Sequence, residues 1–242
     1  MYRQIRELTD SLREETIRIT QQLIRIPSFS LQERKMADRV QNLLEEMNYD
    51  LVFRDAAGNV IGIMVGGDDG PTVLLSSHMD TVRPDGQWSD SPFSGDRRDG
   101  RVFGLGAADC KGGLAAQIVA GHVLDKSRLP LRGNLVVAST VAEENGCSAG
   151  TQHLLEETLP KLGFEPDLAI LGEPTSLTMC NGHDGWVDVD VSIEGKKKPI
   201  VRRASELIFQ DLAGPDPEFA GENGHEMTHV DPPSYVEDGD TT

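Results

Sequence analysis

A mixed α/β fold, with a mostly parallel sheet flanked by helices, is the class this sequence predicts, and three observations predict it. Short apolar runs of strand length alternate along the chain with segments of helical spacing, which implies layered α/β architecture rather than a sandwich. Several of the runs end on a carboxylate or an imidazole, where open α/β sheets bind ligands. The length, 242 residues, is ample for a real hydrophobic core.

Taken in order, residues 2–25 carry Ile5, Leu8, Leu12, Ile19 and Leu23 at helical spacing, and Pro27 ends that helix. Ser30 and Glu33 form a capping-box pattern ahead of a second amphipathic face, Ala37, Val40, Leu44 and Met47. Leu51–Arg54 and Asn59–Val65 read as strands, residues 66–71 as a turn, and Thr72–Ser77 as a compact apolar strand. Lys111–Leu124 is a small-residue helix, Asn134–Thr140 a buried strand, Thr151–Leu159 a helix and Asp167–Leu171 the next strand.

Composition narrows the function classes. A net charge of −17 argues against nucleic acid, because neutralising phosphates requires a basic surface. The cations are 16 Arg and only 7 Lys, three of the latter at 196–198. Dense carboxylate with little lysine resembles proteins of halophilic cytoplasm; the alternative is an ordinary acidic enzyme. No apolar stretch approaches the roughly 18–20 residues of a membrane span, and the N-terminus carries no signal-peptide core. Cys110, Cys147 and Cys180 stand singly, which suits a reducing cytoplasm better than a disulfide framework, and Cys110 and Cys147 read as small buried thiols. No spacing marks one of them as a nucleophile with its own histidine and acid.

The chemistry concentrates in five stations. His78 and Asp80, two apart in strand-like geometry, point to one side, so His78 is a candidate metal ligand and Asp80 the carboxylate that holds its other ring nitrogen. Alone, this pair reads equally as a core histidine beside a turn aspartate. Asp109 lies between glycines that allow close backbone approach and precedes a helix. It is a bridging carboxylate or a plain N-cap, and the Walker spacing is not met. Glu143-Glu144 places two repelling carboxylates at a strand end, which a cation would compensate; a solvated acidic turn is the rival. Glu173 ends a fourth apolar run. His229, in the tail, is the fifth.

Taken together, His78-Met79-Asp80, the Gly-rich Asp109 segment, Glu143-Glu144 and Gly172-Glu173-Pro174-Thr175 resemble the zinc aminoacylase family. That family includes acetylornithine deacetylases, succinyl-diaminopimelate desuccinylases and glutamate carboxypeptidases. The resemblance covers residues 5–195. Leu177–Gly185 is also similar, more loosely, to hydrolases of selenium and purine metabolism. The aminoacylase resemblance implies a zinc-exopeptidase-like fold and two Zn2+ ions, replaceable by Co2+ or Mn2+. Asp109 would bridge them, His78 and Glu173 would complete one site, and Glu144 would serve the other. Glu143 would be the general base and Asp80 would orient His78. The implied substrate is an N-acyl amino acid or small peptide, hydrolysed at its amide bond.

The pattern departs from the family beyond residue 185. The expected organisation is a catalytic domain over 1–185, a remnant of an α+β lid and dimerisation domain over 186–212, and an acidic Pro/Gly-rich tail over 213–242. Residues 186–194 alternate as a half-buried strand would, and 200–212 make one short amphipathic helix. The lid histidine that the family places a few residues past such a strand is absent. The segment around His225 and His229, followed by Pro233–Glu237, is similar to the family's last ligand segment, so that His229 would close the second zinc site; an acidic tail with two stray histidines is the other reading. A shortened lid puts homodimerisation in doubt. It also leaves a second hypothesis, an inactive relative acting as a metal- or partner-binding remnant.

Overall fold

The computed structural model describes residues 1–145, 148–180 and 182. They belong to one compact unit, Met1–His183; a second unit, Asp184–Thr242, lies outside them. The expected lid strand and helix, the tail, His229 and Cys147 therefore fall outside the described residues.

Helices α1 (Tyr2–Ser11), α2 (Arg13–Ile24) and α3 (Arg34–Glu46) lead into β1 (Leu51–Arg54), β2 (Val60–Met64) and β3 (Gly67–His78). A small hairpin, β4 (Asp96–Arg98) and β5 (Arg101–Phe103), follows. Next come α4 (Gly112–Ser127), β6 (Arg132–Thr140), the short helices α5 (Ala149–His153) and α6 (Leu159–Leu162), and β7 (Leu168–Leu171). The main sheet has the order β1-β2-β6-β3-β7. Its pairs β3·β6 and β3·β7 are parallel, while β1·β2 and β2·β6 are antiparallel, so β2 alone runs against the other four strands. This is the mixed, mostly parallel sheet the sequence predicts.

Strand periodicity sorts the core onto two faces. Val60, Met64, Leu75, Leu135 and Val137 pack with α1–α4, and Ile61, Ile63, Leu74, Val136 and Ala138 pack with Leu154 and Leu159 on the other side. Gly62 lets α3 close on β2, since a Cβ there would lie 2.8 Å from the Tyr49 ring and 2.9 Å from Leu44. Among the described residues, no helix is long and apolar enough to cross a membrane.

Four local expectations are overturned. The single helix over 2–25 breaks at Leu12, whose φ of −95° and ψ of 3° leave the helical range while its side chain stays buried. The capping box does not form: Ser30 and Glu33 turn instead to partners far along the chain. Residues 67–70 belong to β3, which carries an irregularity between Gly67 and Thr72 instead of starting after a turn. And β7, expected to be buried, is exposed at all four residues, because among the described strands only β3 pairs with it.

Lys111 is the largest fully buried side chain, and its Nζ donates to the Ile26 carbonyl at 2.9 Å. Burial depresses its pKa to about 8. Between pH 8 and about 10.5 the unfolded chain binds the proton that the folded chain has shed, so stability rises with pH across that window. Urea unfolding in chelator should show wild type gaining on the order of 2 kcal/mol from pH 7.5 to 10 relative to Lys111→Met. Parallel pH profiles for the two proteins would exclude a depressed lysine.

Candidate metal centre

Strand order assembles the centre. β3 is the middle of three parallel strands and ends on His78. Its neighbour β6 ends at Thr140 and leads into Glu143 and Glu144, while β7, on its other side, ends at Leu171, two residues before Glu173. All three deliver their residues at carboxyl ends of parallel strands. Asp109 comes from an irregular turn, Ala107–Lys111, immediately before α4; its φ and ψ of −118° and 98° are non-helical, and its peptide with Cys110 is cis.

The turn is held down by glycine contacts of backbone on backbone. A Cβ on Gly113 would lie 2.2 Å from the Gly172 carbonyl oxygen, and one on Gly172 would lie 2.0 Å from Ser77 Oγ. The glycines after Asp109 thus seat the start of α4 against the segment that carries Glu173.

His78 is buried. Its Nδ1 lies 2.9 Å from the Asp80 backbone oxygen, and since a carbonyl only accepts, the Nδ1–H donates there and Nε2 is the nitrogen turned to the carboxylates. Nε2 faces carboxylates: Asp109 Oδ1 at 2.9 Å, Glu173 Oε1 at 3.9 Å and Glu143 Oε2 at 4.0 Å. Asp80 orients the ring mainly through its main chain, since its carboxylate is 3.5 Å from Nδ1. That carboxylate is fully buried and accepts from Ser30 Oγ at 2.7 Å and from the backbone N–H groups of Glu143 and Glu144 at 3.1 and 3.0 Å. Asp80 therefore carries the two glutamates as well as the histidine, a role the sequence does not announce.

Among the described residues, two sets of donors are close enough to hold an ion, His78 with Asp109, Cys110 and Glu173, and His78 with Glu143 and Glu144; within each set the donor atoms lie within 4.8 Å of one another. Donors around a tetrahedral zinc stand roughly 3.3 Å apart. One imidazole nitrogen cannot serve two ions, so simultaneous occupation needs a carboxylate with two free oxygens between the sets. Cys110 Sγ is already used: it accepts the His78 N–H at 3.2 Å and donates to the His78 carbonyl at 3.4 Å. Burial pushes that thiol up, which keeps it protonated and structural.

The electrostatics describe a site short of positive charge. Burial first, then the charge of Asp109, pushes the Glu144 carboxyl up to about 7. Glu173 is also raised, by burial foremost. Burial opposes a charge on His78, yet hydrogen bonds to Asp109 and Asp80 carry it well above the ordinary imidazole range. Asp109, bonded to His78, is held below the usual carboxylate value. A buried imidazole that keeps its proton among acids marks where a cation would sit.

Comparison with known proteins follows the same line. Residues 74–236 match the sequence profile described as Peptidase family M20/M25/M40. The chain is similar to a succinyl-diaminopimelate desuccinylase of Wolinella succinogenes, 33% identical over 209 residues (84% of this chain, 56% of that protein). It is similar to a protein of the same name from Rhodospirillum centenum, 34% identical over 171 residues (67% and 44%). In fold it is similar to the crystal structure of human carnosine dipeptidase 1, with a TM-score of 0.62 at 17% identity over 71% of this chain and 41% of that one. The chain spans about half the length of the curated relatives it matches.

Proposed function

Because the chain belongs to peptidase family M20/M25/M40, we propose that its centre holds two divalent ions, zinc first, and hydrolyses an amide bond of an N-acyl amino acid or small peptide. The observation that carries the reading is the Nε2 of buried His78 facing Asp109, Glu143 and Glu173 within 4.0 Å. The donor set fits: an imidazole and carboxylates are zinc's nitrogen and oxygen ligands, with cobalt and manganese as substitutes.

Asp109 would be shared by the two ions, His78 and Glu173 would complete one site, and Glu144 would serve the other, with His229 as its proposed further ligand. Bound in this place, zinc polarises the scissile carbonyl and makes a water molecule more acidic. The rest falls to the chain. Asp80 holds the Nδ1–H of His78 through its carbonyl and the Glu143–Glu144 backbone through its carboxylate. Glu143, partly exposed toward the cleft, takes the proton of the attacking water and returns it to the leaving amine. The desuccinylase and dipeptidase names of the relatives support acyl amino acids and dipeptides as the substrate class.

The test is a panel of N-acetyl and N-succinyl amino acids and dipeptides, assayed with chelator and after addition of Zn2+, Co2+ or Mn2+. Metal-dependent release of free amine is expected, together with binding of two ions per chain. Two bound ions without turnover would instead support a metal-holding relative that lacks catalysis, a reading favoured by the exposed apolar residues of β7. No ion bound at all would overturn both.

A further inference from the structure

The loop that carries Glu143 and Glu144 is suspended by side chains. After β6 ends at Thr140, four successive backbone N–H groups donate to side-chain oxygens: Val141 to Asn59 Oδ1 at 3.0 Å, Ala142 to Glu33 Oε1 at 3.0 Å, and Glu143 and Glu144 to the two oxygens of Asp80. Asn59, Glu33 and Asp80 come from three separate parts of the chain. Glu33 is buried, and it accepts from backbone N–H groups.

Glu33 Oε1 accepts twice. It takes the N–H of Leu31 at 2.9 Å as well as that of Ala142. Both donors are non-glycine residues in the left-handed region, with φ of 66° and 55°. Such residues are strained and persist only when their surroundings hold them. One carboxylate oxygen holds both. Its charge sits at the N-cap of α3, where the helix favours an anion. Next to it, Ser28 Oγ donates to the Met79 carbonyl and Ser30 Oγ to Asp80, so residues 28–33 form a rigid wall along the His78–Asp80 segment.

We infer that Glu33 is a positioning residue: through the Ala142 N–H it sets where Glu143 and Glu144 stand relative to His78. The inference rests on the metal-centre reading above. Its geometry is one-sided. Glu173 stands on the far side of β3, tied by the Gly172 N–H to the Ser76 carbonyl at 2.9 Å and by the Gly113 contact, neither of which involves Glu33. Loss of Glu33 should therefore loosen one ion and spare the other.

The experiment is a Co2+ titration of the full chain followed by its visible absorption bands, with Glu144→Gln and Glu173→Gln identifying which transition belongs to which site. Glu33→Ala should weaken the Glu144 site about tenfold or more and leave the Glu173 site within about twofold. Glu33→Gln, which keeps an accepting oxygen, should restore affinity to within about threefold of wild type. If the alanine variant does not fold, Glu33→Asp keeps the charge but withdraws the oxygen and carries the same expectation. Equal weakening of both sites, or of neither, overturns the inference and leaves the metal centre standing. A wild-type chain that binds no Co2+ overturns the metal centre and the inference with it.

Discussion

Replacing Glu143 by Gln is expected to lower turnover about 10²–10⁴-fold while two ions remain bound and the melting temperature is unchanged. The amide is isosteric, so the backbone bond from residue 143 to Asp80 Oδ1 survives. What goes is the ability to accept a proton. The side chain is 40% exposed and its Oε2 is 4.0 Å from His78 Nε2, near enough to reach a water at the centre and open enough to meet substrate. Glu144 invites the opposite assignment, since its carboxyl is pushed up to about 7, close to what a general base needs. That shift, however, arises from burial and neighbouring negative charge with no cation present, and a bound ion would reverse it. Glu144→Gln should therefore lose an ion along with activity. If instead Glu144→Gln kept both ions and lost turnover while Glu143→Gln shed an ion, the two roles would be exchanged.

The second large effect is expected at Asp109. Asp109→Ala should lower affinity for both ions by more than about a hundredfold, a larger loss than removing an outer-shell partner, and abolish turnover. Asp109 Oδ1 is the nearest carboxylate oxygen to His78 Nε2, and Asp109 also interacts with Glu173 and Glu144. By distance Asp109 belongs to the His78–Glu173 set, and its charge is felt at Glu144, which is what the proposed bridge requires. Zinc content by elemental analysis after mild chelation checks this. Retention of one tightly bound ion would mean that Asp109 is a terminal ligand of the His78–Glu173 set alone, and that the bridge lies elsewhere.

Much of this centre was legible because its residues follow apolar runs that strand physics makes conspicuous. His78 after Thr72–Ser77, Glu143-Glu144 after Asn134–Thr140 and Glu173 after Asp167–Leu171 are all brought together by the order β6-β3-β7, which periodicity alone does not supply. The supports were not legible. Ser30 and Glu33 satisfy a capping-box pattern, and only the tertiary fold decides that Asp80 and Ala142 outcompete the helix start. Asn59 reads as the first residue of a strand, yet its side chain bonds Val141 and the Gly150 carbonyl across the sheet end. The β4–β5 hairpin had a signal, Asp99-Gly100 with φ of 50° and 74°, that arginines on both sides disguised, since hairpin strands are sought among alternating apolar residues. The glycines around Asp109 were read as allowing close backbone approach; what approaches Gly113 is the Gly172 backbone, and what approaches Gly112 is the Ala107 carbonyl.

The exposed strand β7 has a mechanical consequence. Its free edge among the described strands is a place where a further strand can add to the sheet, and its last hydrogen bonds lie two residues from Glu173. A strand docked there would share one ladder with the carboxylate that closes the His78 site, and would stiffen it. Pairing at that edge would therefore bear on the position of Glu173, the proposed ligand 3.9 Å from His78 Nε2.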